Sequence, residues 1–217
     1  MKNTLIAAVF SICSVSAFAQ ADTANRVQLP KVWHNPYEPK SIITTISFGF
    51  ADPNRSSFSV PAGYEKGMTT GFTPIYLKLE YGLGKNISLA ASLSYSALRY
   101  NYYQLVNGWA GQVKRNKENR FSVLSEGIIA YYHLGNIIHV KHLDPFVGVG
   151  MSLNNIRHTA FPQGDSTIEK TDFTVSPYIK AGARYFLSDK CSIFGDVGYD
   201  NQSVFSLGFT CRFFRKP

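Results

Sequence analysis

Between Ser41 and Phe214 the chain alternates apolar and polar residues with little interruption, the spacing of strands that bury one face. Eight segments carry the pattern: Ser41–Ala51, Thr73–Leu83, Ile87–Tyr100, Arg120–His133, Asp144–Arg157, Asp172–Leu187, Cys191–Tyr199 and Ser203–Phe214. No segment between them has a helical period. The connections are long (Asp52–Phe72), short (Gly84-Lys85-Asn86), long (Asn101–Asn119), medium (Leu134–Leu143), long (His158–Thr171) and twice short (Ser188-Asp189-Lys190, Asp200-Asn201-Gln202). Long outer loops alternating with tight inner turns are the signature of an even-stranded membrane barrel with both termini on the inner side. The last outer loop is shorter than that pattern predicts.

Which face of the strands meets water decides between two folds. Apolar residues fall mainly on odd numbers: Ile75, Leu77, Leu79, Tyr81 and Leu83, for instance, against Tyr76, Lys78, Glu80 and Gly82. The first strand runs in the even phase (Ile42, Ile46, Phe48, Phe50), and the fourth is ambiguous, because Leu124 and Ile128 share a face with Glu126. Lys78, Glu80, Glu126, Lys180, Arg184, Asp196 and Arg212 are read together as the polar phase. A Lys or Arg facing lipid at mid-membrane costs about 2–4 kcal/mol, and an acid less, so these seven are expected in the lumen. A soluble ligand-binding barrel would have the same strands turned inside out. Small and charged residues sharing one face, tyrosines near strand ends (Tyr81, Tyr100, Tyr102, Tyr103, Tyr131, Tyr132, Tyr185, Tyr199) and the alternating connections favour the membrane version: an all-β, eight-stranded antiparallel up-and-down transmembrane β-barrel over residues 41–214.

Composition agrees. The 217 residues include 16 Phe and 13 Tyr, only 17% are charged, and the formal net charge is +8. The basic residues are not gathered on a helix or in a long run, so nucleic acid is not the expected partner; an anionic membrane surface is. The first twenty residues, MKNTLIAAVFSICSVSAFAQ, have a positive start, an apolar stretch and the small-x-small ending Ala17-Phe18-Ala19. They read as a signal peptide over 1–19. Phe10-Ser11-Ile12 before Cys13 makes a poor lipidation motif. Residues 20–40, rich in Pro, Asn and charge, read as an irregular periplasmic lead-in. The mature chain has no run of about 18 apolar residues that would span a membrane as a helix.

The last strand, SLGFTCRF (Ser206–Phe213), resembles the C-terminal assembly signal of outer-membrane barrels, with Cys211 where an aromatic is more usual and Arg215-Lys216-Pro217 trailing. With LEYGLGKNISLAASLSY and IFGDVGYDNQSVFSLGFTCRF, the chain resembles the small outer-membrane β-barrel family (OmpA/OmpX-like eight-stranded barrels) of the kind common in Bacteroidota. That resemblance implies the cell outer membrane as location and the outer-membrane assembly machinery as a partner during biogenesis. It implies no cofactor and little about activity.

Candidate chemistry is sparse. The lumen charges offer either an ion path or a plug; eight strands enclose room only for side chains, and unpaired buried charges are very costly, so a plug is expected. Arg99 and Arg157 break the phase rule at outer-leaflet strand ends. Guanidinium groups grip phosphate bidentately, so with Lys114, Arg115 and Lys117 they are expected to contact lipopolysaccharide, although rim residues already in water would look the same. The second outer loop, with Tyr102, Tyr103, Trp109 and the basic cluster, is the preferred contact surface for lipopolysaccharide, a host surface or an extracellular protein partner, although the same residues would equally suit an aromatic rim that anchors the barrel. His139 and His142, with Asp144 nearby, are too few for a metal site, and none is expected. Ser152 and His158 are the nearest approach to a nucleophile–base pair, roughly 20 Å apart along one strand. No nucleophile elbow, P-loop or dinucleotide fingerprint is present. A hairpin pivoting on Asn201 places Cys191 opposite Cys211, near disulfide distance. The reading is a non-enzymatic envelope protein, with a narrow transport pore and a lipid A-modifying enzyme as alternatives.

Overall fold

The computed structural model describes residues 37–51, 60, 63–108, 111–138, 140–161 and 168–214. They form eight strands: β1 (Ile42–Phe50), β2 (Glu65–Gly82), β3 (Ile87–Gly108), β4 (Gly111–His133), β5 (Leu143–Phe161), β6 (Ile168–Phe186), β7 (Cys191–Tyr199) and β8 (Phe205–Phe214). Each pairs antiparallel with the next, and β1 closes on β8. Closure removes both sheet edges, so every strand finds its backbone partners within the wall.

The wall has its polar side inward. Lys78, Glu80, Lys180, Arg184 and Asp196 are almost fully buried, with Ser47, Ser88, Ser96, Ser206 and Thr210. Leu77, Leu79, Ile128, Met151, Phe173, Val175, Ile179 and Phe209 lie on the outer surface, each 48–67% exposed. Burying such a side chain is worth about 1.5–3 kcal/mol, and only hydrocarbon outside the wall supplies that burial. The barrel is therefore a transmembrane one. Small inward residues let it close: a Cβ on Gly208 would come within 2.1 Å of the Ile46 carbonyl, and one on Gly182 within 2.3 Å of the Gly195 carbonyl.

The strands reach further than the alternation foretold. β3 and β4 stay paired up to Gly108 opposite Gly111, so most of Asn101–Asn119, expected as a loop, is a two-stranded tower. β2, β5 and β6 also extend past their expected outer ends. Backbone pairing needs no apolar stripe, and above the lipid both faces of a strand can be polar, so the period-two signal fades while the ladder continues. The signal segment 1–19, the lead-in up to residue 36, Trp109, His139 and 215–217 lie outside the described residues.

Candidate functional site

The lumen holds two ion-pair networks separated by aromatic rings. In the network nearer the tight turns, Arg184 of β6 binds Glu80 of β2 through both guanidinium nitrogens and approaches Asp144 at 3.6 Å. His133, the last residue of β4, places Nε2 3.0 Å from Ser88 Oγ and 3.2 Å from Glu80 Oε1, and Nδ1 3.0 Å from Asp144. Tyr37, just before the barrel, stacks on His133 at 3.7 Å and donates its hydroxyl to the Ile87 carbonyl at 2.7 Å. Burial, with Glu80 and Asp144 close by, pushes the Tyr37 phenol well above its ordinary pKa, so it stays a neutral donor. Gly82 permits this contact, because a Cβ there would lie 2.8 Å from the Tyr37 hydroxyl. Glu38 pairs with Arg212 at 3.5 Å. Tyr37 and Glu38 of the lead-in thus cover that mouth.

In the second network Lys78 contacts Asp196 at 3.2 Å and donates to the Tyr178 hydroxyl at 3.1 Å. Lys180 bridges Asp196 at 3.4 Å and Asp200 at 2.7 Å. Ser206 donates to Asp196, and the Tyr76 hydroxyl lies within hydrogen-bond distance of Asp200 and Ser203. Asp200 is held in turn by the backbone N–H groups of Gln202 and Ser203. Tyr131, Phe146, Tyr178 and Phe194 fill the space between the networks. Towards the end away from the tight turns, Gln202 donates to Ser125, which donates to Asn154.

Lys78, Glu80, Lys180, Arg184, Asp196 and Arg212 stand in the lumen. Glu126 does not: it is exposed on the outer wall, between Leu93 of β3 and Leu153 of β5. The expectation for it is corrected because Val123, Ile129 and Tyr131, each at most 2% exposed, and the buried His133 all need the inward phase of β4. One acid near the upper edge of the apolar band costs less than turning those four outward. Asp144, Asp200 and His133, which complete the networks, escaped sequence reasoning. Asp200 sits in a segment that reads as a connection, Asp144 is the first residue of its expected strand, and His133 lies on the strand whose phase was ambiguous.

Ser88, His133 and Asp144 stand in the order of a hydrolytic triad, yet the hydrogen bonds run the wrong way. Ser88 donates its proton to Glu80 at 2.8 Å, so it offers none to His133. All three are essentially inaccessible beneath Tyr37, where no carbonyl could reach the serine. Ser152 and His158 are not brought together: Ser152 is buried against Ser176 and Asn154, while His158 is exposed, edge-on to Phe121. Among the described residues no three His, Cys, Asp or Glu converge on a metal position.

Outside, the expected basic set divides. Arg99 and Arg157 lie just above the apolar band with Arg120, which pairs directly with Arg99 across the β3–β4 ladder. Arg157 sits opposite Ser122, one row lower. Glu118 approaches Arg99 at 3.2 Å and Arg120 at 2.5 Å. Lys114 and Lys117 stand higher on the tower, on opposite faces by strand alternation. Lys114 lies 3.5 Å from the centre of the Tyr103 ring, and Lys117 lies 4.8 Å from that of Tyr64. Arg115 faces Gln104 across the ladder; its side chain lies outside the description. Cys191 and Cys211 are direct partners, with sulfurs 3.8 Å apart as free thiols.

No family model and no curated protein matches the chain. Among solved structures, a de novo designed transmembrane β-barrel aligns over 82% of this chain and 98% of its own, with 12% identity and a TM-score of 0.44. Ail, the attachment invasion locus protein of Yersinia pestis, aligns over 80% and 97%, with 11% identity and a TM-score of 0.43. The outer membrane protein OprG from Pseudomonas aeruginosa aligns over 83% and 99%, with 12% identity and a TM-score of 0.42. Similarity this distant says nothing of ligand or activity; the description of the fold rests on the strands, their closure and their faces.

Proposed function

We propose that this chain is a non-enzymatic outer-membrane protein that works through its outer surface and does not conduct through its lumen. The observation that carries the reading is the filled interior: Lys78, Lys180 and Arg184, all buried, meet Glu80, Asp144, Asp196 and Asp200, aromatic rings lie between them, and Tyr37 covers one mouth. A barrel so occupied has chemistry to offer only outside. There the arginines at the rim suit lipopolysaccharide phosphates, and the Tyr- and Lys-bearing tower suits an extracellular partner. The triad-like Ser88 supports no hydrolytic reading, because its proton is committed to Glu80 and it is sealed from substrate.

Planar-bilayer recording of the refolded barrel tests the first half; the expected result is no stable open level, and a large steady conductance would refute it. Co-purification tests the second half. Arg99→Ala combined with Arg157→Ala is expected to reduce bound lipopolysaccharide several-fold, and unchanged lipopolysaccharide would remove the site.

A further inference from the structure

The Glu126 side chain has no hydrogen bond or ion pair among the described residues, although it stands on a wall otherwise built for hydrocarbon. An ionisable group in that position calls for a partner. The wall around it is graded. Beneath Glu126 lies a depression of about 920 Å³, where Ala91 and Ala130 are flanked by the longer Leu89, Ile128, Val149 and Met151. The row above Glu126 holds Leu124 with Asn155 of β5 opposite. The next holds Ser122 with Arg157, and the one above that Arg99 with Arg120. Four residues separate Glu126 from the Arg157 row, roughly 13 Å along the strand. An upward-turned Glu side chain shortens that gap. Read from the membrane centre outward, the stripe runs apolar hollow, carboxylate, amide, guanidinium.

We infer that this stripe of β3, β4 and β5 binds one phosphorylated lipid whose chains carry hydroxyl or amide hydrogens next to the headgroup, as the lipid anchor of lipopolysaccharide does. The inference rests on the lipopolysaccharide reading of the rim and adds the group that selects among phosphate lipids. The phosphate lies on Arg157 and the Arg99–Arg120 pair. One chain fills the hollow at Ala91 and Ala130. Between them a hydroxyl or amide N–H donates to the Glu126 carboxylate. An ordinary glycerophospholipid brings only ester oxygens to that depth, and these are acceptors that a carboxylate repels. A second copy of the chain facing this one would set carboxylate against carboxylate and hollow against hollow, satisfying neither.

The test is native mass spectrometry of the full chain folded in detergent, titrated separately with the hydroxyacylated lipid anchor of lipopolysaccharide and with phosphatidylglycerol. The unaltered chain is expected to bind the first more tightly, and Glu126→Leu to lose roughly tenfold for that lipid alone, the scale of one charge-assisted hydrogen bond. Glu126→Gln, which keeps an acceptor oxygen, is expected to fall between. Both substitutions face lipid, and heat-modifiable gel mobility confirms that they fold. Arg99→Ala with Arg157→Ala is expected to weaken both lipids alike. Glu126→Leu binding both lipids as the unaltered chain does, while the arginine pair weakens both, would overturn this inference and leave the rim reading standing. An arginine pair without effect on either lipid would overturn the rim reading and the inference together.

Discussion

The charged side chains of the lumen and those of the tower are the same residue types in opposite settings. Lys78, Lys180 and Asp196 are at most 3% exposed and join β2, β6 and β7, more than 100 residues apart along the chain in the case of Lys78 and Asp196. Arg99, Glu118 and Arg120 all belong to the β3–β4 hairpin, and the two arginine side chains are about half exposed. Water already solvates the tower charges, so pairing them adds little. In the lumen each charge has only its neighbours, so pairing is compulsory. The inner set fixes how the barrel closes; the outer set, paired but already solvated, contributes little to it.

Removing one member of the inner set gives the sharpest contrast. Arg184→Leu leaves Glu80 and Asp144 enclosed with no arginine between them. The expected loss is about 3–5 kcal/mol, the scale for breaking a buried pair from one side. Urea unfolding of the barrel in micelles, followed by gel mobility, measures it. A loss below about 1 kcal/mol would mean that water reaches these carboxylates, and the lumen would no longer differ in kind from the tower.

How far this was legible in the sequence follows from the same contrast. Where lipid lies on one side and the plug on the other, alternation is enforced. β7 was accordingly located to the residue, and Cys191 was placed opposite Cys211. Arg212 N–H donates to the Lys190 carbonyl, so the cysteines occupy a non-hydrogen-bonded pair, the kind with the shorter Cα separation. Above the membrane the enforcement ends, and the tower read as loop. Glu126 was misplaced for a related reason. Its charge was weighed alone, although Ile129, Tyr131 and His133 on the same strand together outweigh it. The full networks were not legible, since Asp144 and Asp200 act through partners on other strands that no local pattern reveals.

A second, smaller test bears on where the inner set ends. Tyr37 precedes the first strand, yet it is 2% exposed, stacks on His133 and donates to Ile87. If it belongs to the lumen, Tyr37→Ala is expected to lose about 2–3 kcal/mol, from lost ring packing and a lost hydrogen bond. Tyr37→Phe, which keeps the stack, is expected to lose about 1 kcal/mol. Equal losses for the two would show that the hydroxyl alone matters, and the lead-in would then count as a tether and not as part of the plug.

The smallest expected effect lies on the tower, and its smallness is the point. Arg99→Ala removes a guanidinium that is about half exposed and paired with Glu118 at 3.2 Å; exposed pairs contribute at most about 1 kcal/mol, and often nothing measurable. Unfolding in urea is therefore expected to shift by less than about 0.5 kcal/mol. Glu118 keeps Arg120 as a second partner at 2.5 Å, so no carboxylate is stranded. A loss approaching that of Arg184→Leu would mean that Arg99 is a structural element of the wall, and its place among the arginines proposed to bind phosphate would fall. A near-zero change, with weaker lipopolysaccharide retention in the same variant, would separate the two roles of charge in this barrel: inside it holds the fold, and at the rim it is left for a ligand to use.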